Sequence, residues 1–227
     1  MEQIKVAITG GIGSGKSALV TMLTENGIEV VDLDAIAHNL TIADGNLHIT
    51  NEMIEALSRI KVREISEFGG AIPYIFSEFG PDFILPNGNM DRKKMRELVF
   101  NNPREMEKLN KIMGPLIMKV ALTYTHDRMQ IYDIPLLAQS PEWLALIDYV
   151  IVVDVPEEIQ IERVMSRNGH TREMVMKMMS NQSTRQERLD IADYIIDNSG
   201  SFDNLKQQTD KLIIKIREMQ NDIIESD

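Results

Sequence analysis

Residues 10–17, Gly10-Gly11-Ile12-Gly13-Ser14-Gly15-Lys16-Ser17, carry the densest chemistry in the chain and fit G-x-x-x-x-G-K-[ST]. Glycines at 11, 13 and 15 let successive backbone N–H groups turn inward around a phosphate. The helix that follows adds the partial positive charge of its N-terminus. Lys16 is then placed to reach the outer phosphates of a triphosphate, and the Ser17 hydroxyl to hold Mg²⁺. The alternative is a glycine-rich turn with no ligand. The context favours the phosphate loop, because the apolar run Ile4-Lys5-Val6-Ala7-Ile8 precedes it and Ala18-Leu19-Val20-Thr21-Met22-Leu23 follows, the strand–loop–helix order that such a loop requires.

The loop alone does not choose among kinases, GTPase switches, transporters and motors. A guanine-specific N-K-x-D is missing, since the Asn110-Lys111 pair runs on into Ile112-Met113. A small-molecule kinase needs an acid at the end of a neighbouring strand, aimed at the acceptor hydroxyl, and Val30-Val31-Asp32-Leu33-Asp34 supplies two. Each has a plainer alternative, capping the next helix. Asp133 also ends a strand-like run, where it either binds Mg²⁺ through water or is a satisfied strand-end carboxylate.

These residues need a scaffold, and the pattern supplies alternating strands and helices. Strands are expected over residues 4–8, 28–32, 129–134, 149–155 and 193–197, and helices over 17–26, 156–167 and 202–224. Gly27 is the stop of the first helix. Strands separated by helices imply a parallel sheet covered on both faces. Residues 34–124 hold no convincing strand. Turn signals at Ala43-Asp44-Gly45-Asn46 and Pro86-Asn87-Gly88-Asn89 divide them into helical pieces, an insertion after the second strand, where open α/β sheets bind ligands.

Composition narrows the class. The chain has 227 residues, enough for a substantial core, and reads as one globular chain with subdomains. A formal charge of −11 and a pI near 4.9 argue against a general nucleic-acid binder, so an anionic ligand must be held by local donors. With no cysteine, disulfides and thiolate metal sites are excluded. No signal-peptide pattern and no run long enough for a membrane span are present, and the expected location is the cytoplasm. His38, His48, His126 and His170 are scattered without ligand spacing and read as structural. Met174, Met178 and Met179 have helical spacing and read as packing. Arg59, Lys61 and Arg63 form a small basic cluster, solvated or touching a substrate phosphate.

Beyond the glycine loop, further blocks recur in a fixed order: Asp32-Leu33-Asp34-Ala35-Ile36-Ala37-His38, Met90-Asp91-Arg92, Glu97-Leu98-Val99-Phe100, Pro135-Leu136-Leu137, residues 167–182, and Ala192-Asp193-Tyr194-Ile195-Ile196-Asp197-Asn198-Ser199-Gly200. Together they resemble the dephospho-CoA kinase family along nearly the whole chain. The resemblance implies an α/β P-loop NTPase fold, with a parallel sheet flanked by helices, a helical substrate-binding insertion and a mobile lid. It places the nucleotide core in residues 1–34 and 127–227, the lid within about 163–182, and the acceptor-binding region in 35–126. The implied reaction is MgATP-dependent phosphorylation of the ribose 3′-hydroxyl of dephospho-CoA. ATP and dephospho-CoA are the expected partners, with neither nucleic acid nor membrane, and the oligomeric state is open.

The roles that follow are these. Asp34 is the residue that orients and deprotonates the acceptor hydroxyl, while Asp32 holds a water of the Mg²⁺ shell or positions Asp34. Lys16, Arg167 and Arg172 neutralise charge on the moving phosphoryl group, the two arginines from the lid. Gly11, Gly13, Ser14, Gly15, Lys16, Ser17 and Ala18 hold the nucleotide, Asn198 to Gly200 form a turn against adenine, and Arg92 joins Asp32 and Asp34 in binding substrate. The other reading of the lid arginines, with Arg163, is a solvated helix face paired with Glu158 or Glu162. Arg185 and Arg188 are weaker candidates. Departures from the family pattern are Ala18 for the usual Thr, Gly114 in Gly114-Pro115-Leu116-Ile117 where His is common, Ala138-Gln139 where Phe-Glu is common, and a longer segment over about 41–79. Gly114 and Gln139 motivate one alternative, a kinase of another small hydroxyl acceptor such as a nucleoside or nucleotide; a second, a nucleotide-binding regulator without transfer, is opposed by the retention of Lys16, Ser17 and Asp34.

Overall fold

The computed structural model describes residues 3–43, 70–100, 102–123 and 129–225. The turn residues Asp44 to Asn46, His48, Arg59, Lys61, Arg63, His126 and most of the longer segment lie outside the described residues. The chain divides into two compact units, Met1–Asp32 with Tyr124–Asp227, and Leu33–Thr123.

The first unit is built on β1 (Ile4–Gly10), α1 (Lys16–Glu25) and β2 (Val30–Asp32). After the second unit the chain returns as β3 (Met129–Asp133). Among the described residues the sheet has the order β2-β3-β1-β4-β5, with every pairing parallel, where β4 is Tyr149–Asp154 and β5 is Tyr194–Asp197. Apolar runs such as Tyr149-Val150-Ile151-Val152-Val153 form these strands because helices cover both faces. The core beneath β1 contains Val6, Ile8, Leu19, Leu23, Ile131, Ile151 and Ile196, closed by Leu205, Leu212 and Ile216 of a long terminal helix.

The expected strand over 28–32 pairs only from Val30, because a capped helix end occupies the residues before it. Gly27 adopts φ 77°, its N–H donates to Thr24 O at 3.0 Å, and that of Ile28 donates to Leu23 O at 3.0 Å. That is a Schellman closure, which needs a left-handed residue.

The register decides what meets at the sheet's carboxyl end. Asp32 stands opposite Asp133, Asp133 opposite Ile8, Gly10 opposite Val153 and Asp154 opposite Asp197. The turn after β1 therefore emerges between strands that both end in a carboxylate.

The second unit is helical among the described residues, as the absence of a strand pattern predicts: α2 (Leu33–Leu40), α3 (Ile72–Phe79), α4 (Arg92–Phe100) and α5 (Pro103–Ala121), with one isolated bridge between Ile84 and Met90. Ala71, Ile75, Met95 and Val99 form its buried centre, with Leu109, Ile112, Met113 and Leu116 of α5 packed on them. No helix of the described residues is long and apolar enough to cross a membrane.

The sheet unit is completed by α6 (Pro141–Leu144), α7 (Glu157–Asn168), α8 (Arg172–Met179), α9 (Arg185–Asp190) and α10 (Phe202–Glu225). Helix α7 packs on α8, α9 on β4, and α10 on both α1 and β5.

Candidate active site

The glycine loop is a tight turn between β1 and α1. Gly13 and Gly15 adopt φ 73° and 90°, and Ser14 N donates to Gly11 O at 3.0 Å. Gly15 is the N-cap of α1 and no side chain caps that helix. Among the described residues the backbone N–H groups of Gly13, Gly15, Lys16 and Ser17 meet no acceptor in the protein, and the buried Ser14 hydroxyl is also without a partner. Unsatisfied donors at a helix N-terminus, joined by the macrodipole, fit a phosphate chain. The Ala18 N–H donates to Gly15 O at 2.9 Å and so belongs to the first helical turn.

Long-range contacts hold this loop in shape. Asn198 Nδ2 donates to Ser14 O at 2.7 Å, and Asn198 N donates to Asp154 O at 2.9 Å. Arg163 Nη2 donates to Asn198 O at 2.8 Å. Ile12 N donates to Gln182 Oε1 at 3.0 Å. Asn198 therefore ties the loop to the end of β4, with Arg163 behind it.

Lys16 Nζ is ion-paired with Asp133 at the end of β3, and both side chains are largely buried. This contact was not derivable from spacing, although Asp133 stood out as a strand-end acid. Asp32 lies opposite Asp133 on the neighbouring strand, and Ser17 is exposed at the start of α1. Among the described residues no three His, Asp or Glu side chains form a metal-binding group. Mg²⁺, which keeps much of its water, fits instead as an ion brought with the triphosphate and met by the Ser17 hydroxyl and a carboxylate through water.

The arginines separate into different environments. Arg167 is exposed and donates from Nε to Asn168 Oδ1 at 2.9 Å. Arg172 begins α8, whose N-terminus is capped by Thr171, and gives two bonds to Glu158, at 2.9 and 2.6 Å. Those bonds raise the Arg172 pKa and lower that of Glu158. Among the described residues neither arginine hydrogen-bonds the glycine loop. Arg185 grips Asp154 through Nε and Nη2, the latter at 2.6 Å, which raises its pKa. Arg188 is buried beside Gly11. In the sequence Arg163 belongs to the expected lid stretch and Arg185 and Arg188 are weaker candidates, yet the glycine loop rests against Arg163 and Arg188.

In the helical unit, Asp34 is exposed in the first turn of α2, two residues after β2 ends. Arg92 donates through Nη2 to His38 O at 2.9 Å and to the Thr41 hydroxyl, tying α4 to the end of α2. Desolvation, and secondarily the nearby Arg96, lower its pKa.

Comparison with known proteins decides what this site belongs to. A family model described as dephospho-CoA kinase matches residues 4–57 and 60–204. The chain belongs to the dephospho-CoA kinase family. A dephospho-CoA kinase of Cupriavidus pinatubonensis is 36% identical over 216 residues, covering 92% of each chain. Another, of Ralstonia nicotianae, is 37% identical over 223 residues, covering 93% of this chain and 98% of its own. Among solved structures, a Thermus thermophilus protein superposes with a TM-score of 0.68 at 26% identity, covering 95% of this chain and 98% of that one. The dephospho-CoA kinase of Campylobacter jejuni gives 0.60 at 22% identity, covering 96% and 97%, and shares the fold.

Against the dephospho-CoA kinase pattern, one departure makes a visible contact. Gln139 Nε2 donates to Asn181 O at 3.4 Å, next to the residue that holds Ile12. A carboxylate at this position would have no hydrogen to give there. Gly114, by contrast, sits on α5 where an added Cβ meets nothing within 4 Å.

Proposed function

We propose that this chain transfers the terminal phosphoryl group of ATP to the ribose 3′-hydroxyl of dephospho-CoA, giving CoA and ADP. The observation that carries the reading is the family match running through the glycine loop and on to residue 204. Phosphoryl transfer asks the protein for alignment and charge neutralisation. The open N–H groups of Gly13, Gly15, Lys16 and Ser17 bind the phosphates, and Lys16 moves from Asp133 to the β/γ oxygens. Asp34 orients the acceptor hydroxyl and takes its proton, and Arg167 and Arg172 close from the lid once Arg172 leaves Glu158. Residues 35–126 form the acceptor-binding region. Ser17, with Asp32 through water, would hold Mg²⁺, which supplies charge neutralisation on the phosphate oxygens.

The test is ADP release from MgATP with and without dephospho-CoA. Strong stimulation by dephospho-CoA, weak stimulation by common nucleosides and nucleotides, and a new phosphate on the 3′-oxygen are expected. Higher specificity for a nucleoside or nucleotide would overturn the acceptor assignment and point to the altered Gly114 and Gln139 positions.

A further inference from the structure

Arg188 is only 6% exposed, yet among the described residues no carboxylate pairs with it. Asp154, Glu157 and Glu187 act on it through space, and burial keeps its pKa below the usual arginine value. Nη1 donates to Ser183 O, while Nε and Nη2 meet no acceptor. A buried guanidinium left in that condition is costly, and a planar fork of donors is the geometry that receives an oxyanion.

The neighbouring groups narrow the anion. A methyl group built on Gly11 would stand 2.8 Å from Arg188 Nη2 and 2.7 Å from Gln160 Oε1. Gln160 Oε1 is itself buried without a donor, and Gln160 Nε2 gives its hydrogen to Val155 O at 2.9 Å, which fixes the oxygen toward the gap. An unused donor and an unused acceptor therefore face the same space. Both residues also line a cavity of about 320 Å³, whose wall holds Arg172, Arg185 and Arg188 against Glu157 and Glu158. Glu158 is neutralised by Arg172, and Arg185 is occupied by Asp154.

We propose that this cavity is a phosphate subsite, anchored by the Nε/Nη2 edge of Arg188, with Gln160 Oε1 accepting a hydrogen bond from a protonated phosphate oxygen. Inorganic phosphate near neutral pH carries a P–OH that can donate to Gln160, whereas sulfate carries none. The occupant is either free phosphate or the terminal phosphoryl of a nucleotide held on the adjoining loop. The inference holds whichever alcohol the chain phosphorylates.

Calorimetry of the full chain with sodium phosphate, sodium sulfate, ADP and ATP tests it. Wild type should bind phosphate at least tenfold more tightly than sulfate, and Arg188→Met should weaken phosphate about 10- to 100-fold, the range for a charged hydrogen bond. Phosphate binding that persists in both saturating ADP and saturating ATP identifies free phosphate. Phosphate binding that persists in ADP but is displaced by ATP, together with a loss of ATP but not ADP affinity in Arg188→Met, identifies the nucleotide's terminal group. Wild-type phosphate affinity in a folded Arg188→Met protein overturns the proposal, as does binding abolished by Lys16→Ala but kept by Arg188→Met. If Arg188→Met does not fold, the Arg188 Nε–H resonance of the wild type must shift on phosphate titration, and no shift overturns it equally. These are binding readouts, so failure of the dephospho-CoA turnover assay leaves them interpretable.

Discussion

Gly13 and Gly27 offer a controlled comparison of conformational and steric cost. Both adopt nearly the same left-handed backbone, φ 73° and 77°. An alanine at either position carries about 1–2 kcal/mol for a side chain in that region. Both also lose the same unfolded-state freedom, about 0.4–1 kcal/mol in favour of the variant, so that contribution cancels between them. They differ in space. A Cβ at Gly27 meets nothing within 4 Å, whereas at Gly13 it would stand 2.8 Å from the backbone oxygen of Gln160 and 3.0 Å from Val164 Cγ2. Val164 can adjust, but Gln160 O belongs to α7, so the loop or the helix must shift, an overpacking cost of about 1–3 kcal/mol. Gly13→Ala should therefore be less stable than Gly27→Ala by about 1–3 kcal/mol, roughly 2–12 °C in melting temperature for a chain of this size. Trp143, the single tryptophan and buried in the same unit as both glycines, reports the unfolding by fluorescence in a urea titration. Gly13→Ala should also weaken MgATP binding, which Gly27→Ala should leave alone. Equal destabilisation by the two substitutions would refute the claim that α7 closes on the loop at Gly13.

Asp34→Asn keeps size and polarity but removes the negative acceptor, so single-turnover transfer should fall about 10²–10⁴-fold while MgATP affinity by calorimetry stays near wild type; near-normal transfer would move attention to Asp32. Asn198→Ala deletes the donor to Ser14 O and leaves a buried carbonyl unsatisfied, costing about 1–3 kcal/mol and weakening MgATP binding. An unchanged urea midpoint would mean that the loop holds its shape without this clamp. The Asp197 pKa is lowered by hydrogen bonds from Ser199, including the backbone N–H at 2.9 Å. A depressed carboxylate stabilises the fold above its unfolded pKa, near 4, and loses that contribution as pH falls through its folded value. Asp197→Asn should therefore flatten the acid limb of the urea midpoint plotted against pH below about 4, by a small amount because the group is exposed; superimposable limbs would discount these bonds.

The parallel sheet was legible because its strands are continuous β-branched runs and its loop glycines dictate backbone shape locally. Residues 149–155 needed no partner to be recognised, and Gly27 announced the end of α1 by chemistry within one turn. Strand order was not legible in the same way: β3 lies between β1 and β2 although residues 33–128 separate it from β2 in the chain, and no local pattern records that choice. The supports of the glycine loop share this property. Gln182 reaches Ile12 across 170 positions, Asn198 reaches Ser14 across 184, and Asp133 reaches Lys16 across 117. Arg188 is the sharpest instance. In sequence it sits in Arg185-Gln186-Glu187-Arg188-Leu189-Asp190, an alternation of charges that resembles a solvated helix face and leaves it only a weaker candidate for phosphate contact. The capping box of Thr184 and Glu187 sets where α9 begins, and the packing of α9 on β4 decides which of its residues turns inward. Spacing therefore identified the groups that would touch phosphate through their own backbone, whereas a side chain whose chemistry depends on being buried became visible only once the sheet had chosen its order.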